Sequence, residues 1–349
     1  MTLCQGDSDE LWAEAAWAAV AQCRPDGVVA FSEPQVIAAA MITDELGLPG
    51  PSLRAAAISR NKALQRGRFA AAGICQPQYL ITDQLDDASE WVAARLPVVI
   101  KPLSSAGSVG VELVPDAAGF TEVAERRAGE GRLLVEKAVD GPEFSWESLV
   151  VDGEVWFANL TAKETTGPPN FVEIAHQSAA PLGDLDRVQI DQFGASVLRA
   201  IGMRTGLVHL EFRMSPAGPA VMEIAVRTPG DHLMDLLGLT YGLDWFELVV
   251  RVALGEPLPD APVGPIRYAA SYLPIAPAGT VIAINGLDEV RTHRAVVEAG
   301  INVAPGGQVA AASSSYQRVG QVILAADDRD ELATALAQIR HTLVVLTRP

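Results

Sequence analysis

The stretch Leu207-Val208-His209-Leu210-Glu211-Phe212-Arg213-Met214-Ser215-Pro216-Ala217-Gly218-Pro219-Ala220-Val221-Met222-Glu223-Ile224-Ala225-Val226-Arg227 carries apolar and polar residues in alternation on both sides of a Pro-Ala-Gly turn. That period is the one a half-buried strand demands. A three-residue hairpin loop at Pro216-Ala217-Gly218, with Gly218 left-handed, sets Ser215 opposite Pro219 and Glu211 opposite Glu223. Both carboxylates then share a face with His209 and Arg227, while Val208, Leu210, Phe212, Met222, Ile224 and Val226 turn to the core. Like charges placed opposite one another on a sheet repel, so the pair calls for a cation between them. Mg2+ suits it, because that ion takes one or two carboxylates and completes its octahedron with phosphate oxygens and water. Two glutamates on a solvated face, relieved by Arg213 and Arg227, are the competing reading.

Upstream, the strand Val98 to Lys101 ends on a lysine and runs into Ser104-Ser105-Ala106-Gly107-Ser108-Val109-Gly110. Small residues let backbone N–H groups come close to an anion and let the loop flex over it. The Gly-Lys-Ser/Thr ending of a Walker loop is missing, and no dinucleotide fingerprint follows. A mobile lid over phosphates is expected, against the plainer possibility that Lys101 escapes into solvent. Next, the strand Leu133 to Glu136 ends in a carboxylate, and Glu143 follows seven residues on. Each reads singly as surface; together they are able to accept from a ribose and border a base pocket.

The net charge of -17 argues against nucleic acid as a partner, since nonspecific binding there rests on Lys and Arg neutralising phosphates. Any phosphate site must be local. No apolar run is long enough to span a membrane, and Met1 to Asp7 lacks a signal-like segment, so a cytoplasmic protein without membrane contact is expected. Cys4, Cys23 and Cys75 read as reduced packing residues. The histidines, His176, His209, His232, His293 and His341, form no close ligand pair and do not suggest zinc.

With 349 residues, two or three compact units are expected. Helix Leu11 to Gln22, strand Val28 to Phe31 and a helix from Pro34 to Leu46 predict α/β alternation and a mostly parallel sheet. Helix Ser52 to Ala72 follows, bearing Arg60, Asn61, Lys62, Arg66 and Arg68. The segment from Leu96 predicts a small α+β unit, with strands at 98–101, 111–114 and 133–136 around a helix at 117–127. Glu143 to Leu160 reads as a hairpin about Asp152-Gly153, and Lys163 to Pro169 as a loop. Helices are predicted at Asp184 to Ile201, Tyr241 to Leu254 and Arg329 to Thr342, with short strands from Ile266 onward.

Taken together, Arg60-Asn61-Lys62, Pro97 to Lys101, Ala106 to Val111, Glu136 with Glu143, and His209-Leu210-Glu211 through Met222-Glu223-Ile224 to Arg227 resemble the ATP-grasp superfamily in order, over roughly Pro25 to Leu254. Lys163 to Pro169 and Phe171 to His176 resemble its carboxylate-amine ligases, including L-amino acid ligases. The resemblance implies that Lys62 and Lys101 contact ATP phosphates and that Ser105, Ala106, Gly107 and Ser108 form the lid. Glu136, Lys137, Ala138 and Val139 would border the adenine, and Glu143 would hold the ribose. Glu211 and Glu223 would ligate Mg2+, with Mn2+ as the replacement ion. Arg227, beside Gly230, would hold the reacting carboxylate and act with Lys163 in catalysis, while Glu173 and His176 would lie near the amine. Two positions depart from the pattern: Ala225 stands where an asparagine is usual, and the opening strand and glycine turn of the N-terminal domain are missing.

The implied fold is α/β and α+β: a shortened N-terminal α/β domain with a connecting helix (1–90), a small lid domain (91–162), and a large antiparallel-sheet domain with the metal hairpin and a C-terminal extension (163–349). The implied reaction activates a small carboxylic acid, an amino acid by resemblance, as an acyl phosphate. An amine then displaces phosphate, releasing ADP and phosphate in all; a homodimer is the assembly the resemblance allows. The alternatives are a bicarbonate-activating or purine-pathway ligase on the same scaffold, and a nucleotide-binding protein without catalysis, for which Ala225 is the hint.

Overall fold

The computed structural model describes residues 8–181 and 187–349. Its first elements are helical. Helix α1 (Asp9–Gln22) is capped by the Ser8 side chain, which accepts from the Leu11 N–H, and buries none of its residues. The strand expected at Val28 to Phe31 does not form. Among the described residues it pairs with no strand; instead the Gln35 side chain accepts from the N–H groups of Phe31 and Ser32 and turns the chain into α2 (Val36–Leu46). The helix expected over Ser52 to Ala72 is two, α3 (Leu53–Ser59) and α4 (Lys62–Ala71). Asn61 breaks them, because its side chain caps α4 by accepting from Ala63 and Leu64 N–H. The break places Lys62 at the head of α4.

Four strands, β1 (Tyr79–Thr82), β2 (Val98–Pro102), β3 (Glu112–Val114) and β4 (Leu133–Lys137), form a small sheet in the order β1-β4-β2-β3. Helices α5 (Ser89–Ala93) and α6 (Ala117–Arg126) pack on it through Val92, Phe120 and Val123, against Val98, Ile100 and Val135. The α+β reading of this segment holds.

The large sheet begins with β5 (Glu143–Val151) and β6 (Glu154–Thr165), joined at Asp152-Gly153, both at positive φ as the Asp-Gly turn predicts. Strand pairing therefore joins residues 143–162 to the large unit. Lys163, Glu164 and Thr165 lie in β6, so the loop expected from Lys163 starts three residues later. After β7 (Glu173–Gln177) comes α7 (Arg187–Ile201); the start predicted for that helix, at 184, lies outside the described residues.

Strands β8 (Gly206–Ser215) and β9 (Gly218–Ala225) make the hairpin first read from sequence. Ser215 pairs with Gly218, so the turn holds two residues rather than three. A bulge between Glu211 and Phe212 on the β8 side, with Met222 as the extra residue, restores Glu211 opposite Glu223. The pairing is as expected and the spare residue is elsewhere: Val221 takes the core place, and Met222 lines the cleft described below.

Helix α8 (Leu233–Tyr241) was not expected, because it is apolar almost all round and shows no clear stripe. Left-handed Gly242 ends it and Asp244 caps α9 (Trp245–Leu254), where one helix from Tyr241 was predicted. The tail adds β10 (Tyr268–Tyr272), β11 (Gly279–Asn285), α10 (Leu287–Thr292), β12 (Val296–Ile301), β13 (Gln308–Val309), β14 (Gly320–Ala326), α11 (Arg329–Thr342) and β15 (Val344–Arg348). The large sheet runs β12-β14-β10-β7-β6-β5-β8-β9, and a third runs β13-β11-β15. Every pairing among the described residues is antiparallel, against the parallel sheet expected from the N-terminal pattern. Cys23 and Cys75 are exposed rather than packing residues, and Cys4 lies outside the described residues. No described helix is long and apolar enough to cross a membrane.

Candidate active site

Between the small sheet and the open end of the β8–β9 hairpin lies a cleft of ≈ 380 Å³. The structure brings all the sequence-predicted residues to its lining: Lys62, Lys101, Ser105 to Ser108, Glu136 to Val139, Glu143, Lys163, Glu173, His176, Glu211, Glu223, Arg227 and Gly230.

Strand β2 delivers Lys101 from a buried ladder, and only 7% of the residue is exposed. Its Nζ lies 2.7 Å from Glu136 Oε2, while the fully buried Arg66 guanidinium donates through Nε to Glu136 and through Nη2 to the Met222 carbonyl, 2.6 Å away. Burial alone would raise the Glu136 pKa, but the charges and hydrogen bonds of Arg66 and Lys101 outweigh it and hold the carboxyl at about 2. Burial lowers the Lys101 pKa, with Glu136 opposing. Glu136 is thus the ionised anchor beneath the cleft, with both oxygens engaged by cations, and it lines the cleft beside Lys137, Ala138 and Val139. Arg66, which sequence reading placed only among basic helix residues, is the missed member. Its signal was the i, i+4 spacing from Lys62 on one helix face.

The small-residue loop is held from several sides. Lys62 Nζ donates to the Ser105 carbonyl (2.7 Å), the Ser108 hydroxyl to the Phe171 carbonyl (3.3 Å), and the Ser315 N–H to the Gly107 carbonyl (2.9 Å). Gly107, Ser108 and Gly110 all sit at positive φ, and a Cβ on Gly110 would lie 2.9 Å from Pro102. Glycine is required there. Glu143, the ribose candidate, accepts from Arg213 Nε (3.2 Å) and Nη2 (2.9 Å); Arg213 also donates to the Val139 carbonyl and stacks over Phe171. The N–H groups of Lys137 and Ala138 donate to Gln78 and Pro97 carbonyls, which fixes the strand border but spends those donors within the protein.

Cross-strand pairing aligns Glu211 with Glu223, as predicted. Each meets a lysine from another element: Glu223 Oε1 accepts from Lys62 Nζ at 2.8 Å, and Glu211 from Lys163 Nζ. Lys163 also pairs with Glu173 and approaches Glu143 at 3.8 Å. Burial would lower the Lys163 pKa, but three carboxylates push it well above its ordinary value. Glu211 is held well below the usual carboxylate range, since Lys163 and His209 overcome burial. Glu173 is pushed up by burial, with Glu211 and Asp231 adding to it against Lys163. Behind Glu211, the His209 ring reaches Glu211 through Nε2 (3.2 Å) and fully buried Glu147 through Nδ1 (3.0 Å). Two facing carboxylates, each balanced by a lysine and open to a cleft rimmed by cations, are a donor set that would hold a divalent cation. Ala225, opposite His209, supplies no side-chain oxygen.

On the far side, His176 Nε2 lies 3.0 Å from Asp231 Oδ2, and Arg318 forks onto Asp231 through Nη1 and Nη2. Glu173, His176 and Asp231 bring one ligand atom each within 4.8 Å of one another, a cluster that the spacing of histidines did not announce. Arg318 and Lys163 already neutralise its carboxylates, so it reads as an ion-pair network. Arg227 donates to Glu33 and, at 2.8 Å, to the Thr228 carbonyl. Glu33 stays ionised despite burial because Arg227 and Arg60 flank it. Asp231, Arg318, Ser315 and Tyr316 come from beyond the predicted site; Arg318 and its neighbours sit in a tail whose motifs were not read.

Residues 94–235 match the family description "ATP-grasp domain", and residues 271–348 match "L-amino acid ligase C-terminal domain 2". A Sinorhizobium fredii protein, Uncharacterized protein y4rH, is 29% identical over 89% of this chain and 66% of its own length. Carnosine synthase 1 of Gallus gallus is 28% identical over 79% of this chain and 33% of its own length. The chain therefore spans two thirds or less of these relatives. The L-amino acid ligase structure from Bacillus licheniformis superposes with a TM-score of 0.83 at 22% identity, covering 98% of this chain and 86% of that one, which establishes a shared fold.

Proposed function

We propose that this chain, which carries an ATP-grasp domain followed by an L-amino acid ligase C-terminal domain, couples a carboxylic acid to an amine at the expense of ATP. The observation that carries the reading is the cross-strand pair Glu211 and Glu223, facing Lys62 and Lys101 across one cleft. Phosphoryl transfer needs charge neutralisation and alignment more than a protein nucleophile, and the cleft offers the first in quantity. Glu211 and Glu223 would hold Mg2+, which would supply charge neutralisation at the ATP phosphates. Lys62 and Lys101 bind and orient those phosphates beneath the 104–110 lid. A substrate carboxylate oxygen attacks the γ-phosphorus, and the bond to the ADP oxygen breaks. Arg227, fixed by Glu33, holds the resulting acyl phosphate. The amine nitrogen then attacks the acyl carbon, phosphate leaves with its oxygen, and the nitrogen sheds its proton.

The acid and the amine are taken to be amino acids, because the matched C-terminal domain is that of L-amino acid ligases; the same match favours amide formation over a bicarbonate-activating or purine-pathway reaction. Lys163 acts by holding Glu211 and Glu173 in register, and Glu173 with His176 faces the amine. The test is product analysis with paired amino acids. ADP and phosphate should accumulate, added hydroxylamine should trap the acid as a hydroxamate, and Lys101→Ala should lower both signals together. AMP and pyrophosphate as products would sink the mechanism.

A further inference from the structure

Behind the cleft, a polar chain runs through the interior of the large sheet and ends on one carboxylate of the facing pair. Glu147 on β5 is register partner of His209 on β8 and of Asn159 on β6. It is fully buried, as are Asn159 and Thr161. Asn159 Nδ2 (2.9 Å) and Thr161 Oγ1 (2.6 Å) donate to Glu147 Oε2, and Oε1 faces His209 Nδ1. Asn159 Oδ1 accepts in turn from Tyr241 (2.8 Å) and the Ala179 N–H (3.0 Å). Both Glu147 oxygens are thereby committed, as a buried carboxylate requires, since an unpaired charge in the interior is strongly disfavoured. Among the described residues, this chain of bonds reaches the cleft through His209 Nε2, 3.2 Å from Glu211 Oε1.

We propose that His209, braced by Glu147, is a positioning residue that fixes the Glu211 carboxylate for the divalent cation of the ATP complex. The inference rests on reading Glu211 as a cation ligand. Glu211 is half-buried and open to the cleft, where a glutamate has several rotamers, and Lys163 holds it from only one side. With the ring locked between two carboxylates, Glu211 loses that freedom before any cation arrives, so the cost of ordering it falls outside binding. Ala225, small and opposite His209, leaves this ring as the neighbouring side chain that orders the position. Hydrogen-bond partners behind a metal ligand typically contribute 10- to 100-fold in metal affinity.

The experiment titrates Mn2+ into the protein in the presence of an ATP analogue with a nitrogen β–γ bridge, reading free Mn2+ by electron paramagnetic resonance, with the melting temperature measured in parallel. Glu147→Gln and His209→Gln should weaken Mn2+ about tenfold, while affinity for the analogue without metal stays unchanged. Thr161→Val, which removes one donor to Glu147 and keeps the side-chain shape, should weaken Mn2+ about twofold to fivefold and remains readable if Glu147→Gln fails to fold. Folded variants that bind Mn2+ as tightly as the parent overturn the proposal, as does a lowered melting temperature with Mn2+ affinity unmoved. If the parent protein binds neither analogue nor Mn2+, the ligase reading fails instead, and the two failures are told apart.

Discussion

Glu136 shows at the scale of a residue why burial changes a meaning. Sequence placed it at a strand end beside a base pocket; folding surrounds its carboxylate with Arg66 and Lys101 and excludes water from all three. Removing the charge leaves two buried cations without their partner, so Glu136→Gln should cost about 3–5 kcal/mol in urea unfolding, and a loss under about 1 kcal/mol would refute the anchor. The same pairing sets a pH dependence. The folded pKa of Glu136 and of Glu147 is about 2, below the ordinary 4.5. Each group's contribution is therefore fully present above pH 4.5 and is lost as pH falls toward 2. Stability measured between those values should fall steeply in the parent and less so in Glu136→Gln; equal slopes would mean the carboxylate is not ionised in the native state. Lys101 was legible because it ends an apolar strand, Glu211 and Glu223 because the hairpin sets like charges opposite one another, and Lys62 through the resemblance carried by Arg60-Asn61-Lys62. Arg66, Glu147 and Asp231 were not, since a distant partner gives each its role, and single-sequence spacing does not encode that Arg66 meets Glu136 70 residues on, Glu147 meets His209 62 on, or Asp231 meets Arg318 87 on.

Elements were readable where one period governed them and obscure where two effects competed. Strands β5 and β8 announced themselves by alternation and turn residues, and β2 and β4 as short apolar runs ending in a charge; α8 hid because its surface is apolar nearly throughout, and the Met222 bulge hid because a two-residue turn plus a bulge yields the same Glu211–Glu223 pairing as a three-residue turn. Helix α7 poses a comparable contest at Gly194. Alanine there would gain about 1 kcal/mol of helix propensity. Its Cβ, however, would stand 2.9 Å from three ring carbons of Trp146, itself buried and bonded to Asp191. Overpacking a core aromatic costs about 1–3 kcal/mol, and the tryptophan has a hydrogen bond to lose if it moves. Gly194→Ala should therefore destabilise the protein, seen as a lower melting temperature with blue-shifted or quenched Trp146 fluorescence altered in step. A gain in stability would show that α7 shifts freely on the sheet.

At the scale of the molecule, the cleft is assembled from parts far apart in sequence: α4, β2, the 104–110 loop, the β8–β9 hairpin and the turn at residues 314–318. The tail was read as short strands closing on a helix, without a role at the site, yet β10 pairs with β7, and Arg318 reaches Asp231 and the Glu173 carbonyl. The Ser315 N–H then bonds the Gly107 carbonyl at the tip of the lid. Lid and tail are thus clasped through backbone, with no side-chain chemistry for sequence to display. Loops that close over nucleotides are drawn from segments of low local stability and gain protection on closure. A lid clasped to the tail should transmit that gain. Hydrogen exchange with and without MgATP should slow at residues 104–110 and, together with them, at residues 314–318. The segment 166–169, free of β6, should slow as well, whereas Lys163 to Thr165, already paired with β7, should change little. Protection confined to 104–110 would show that the tail stands aside during closure and that the Gly107–Ser315 bond is not part of the working lid.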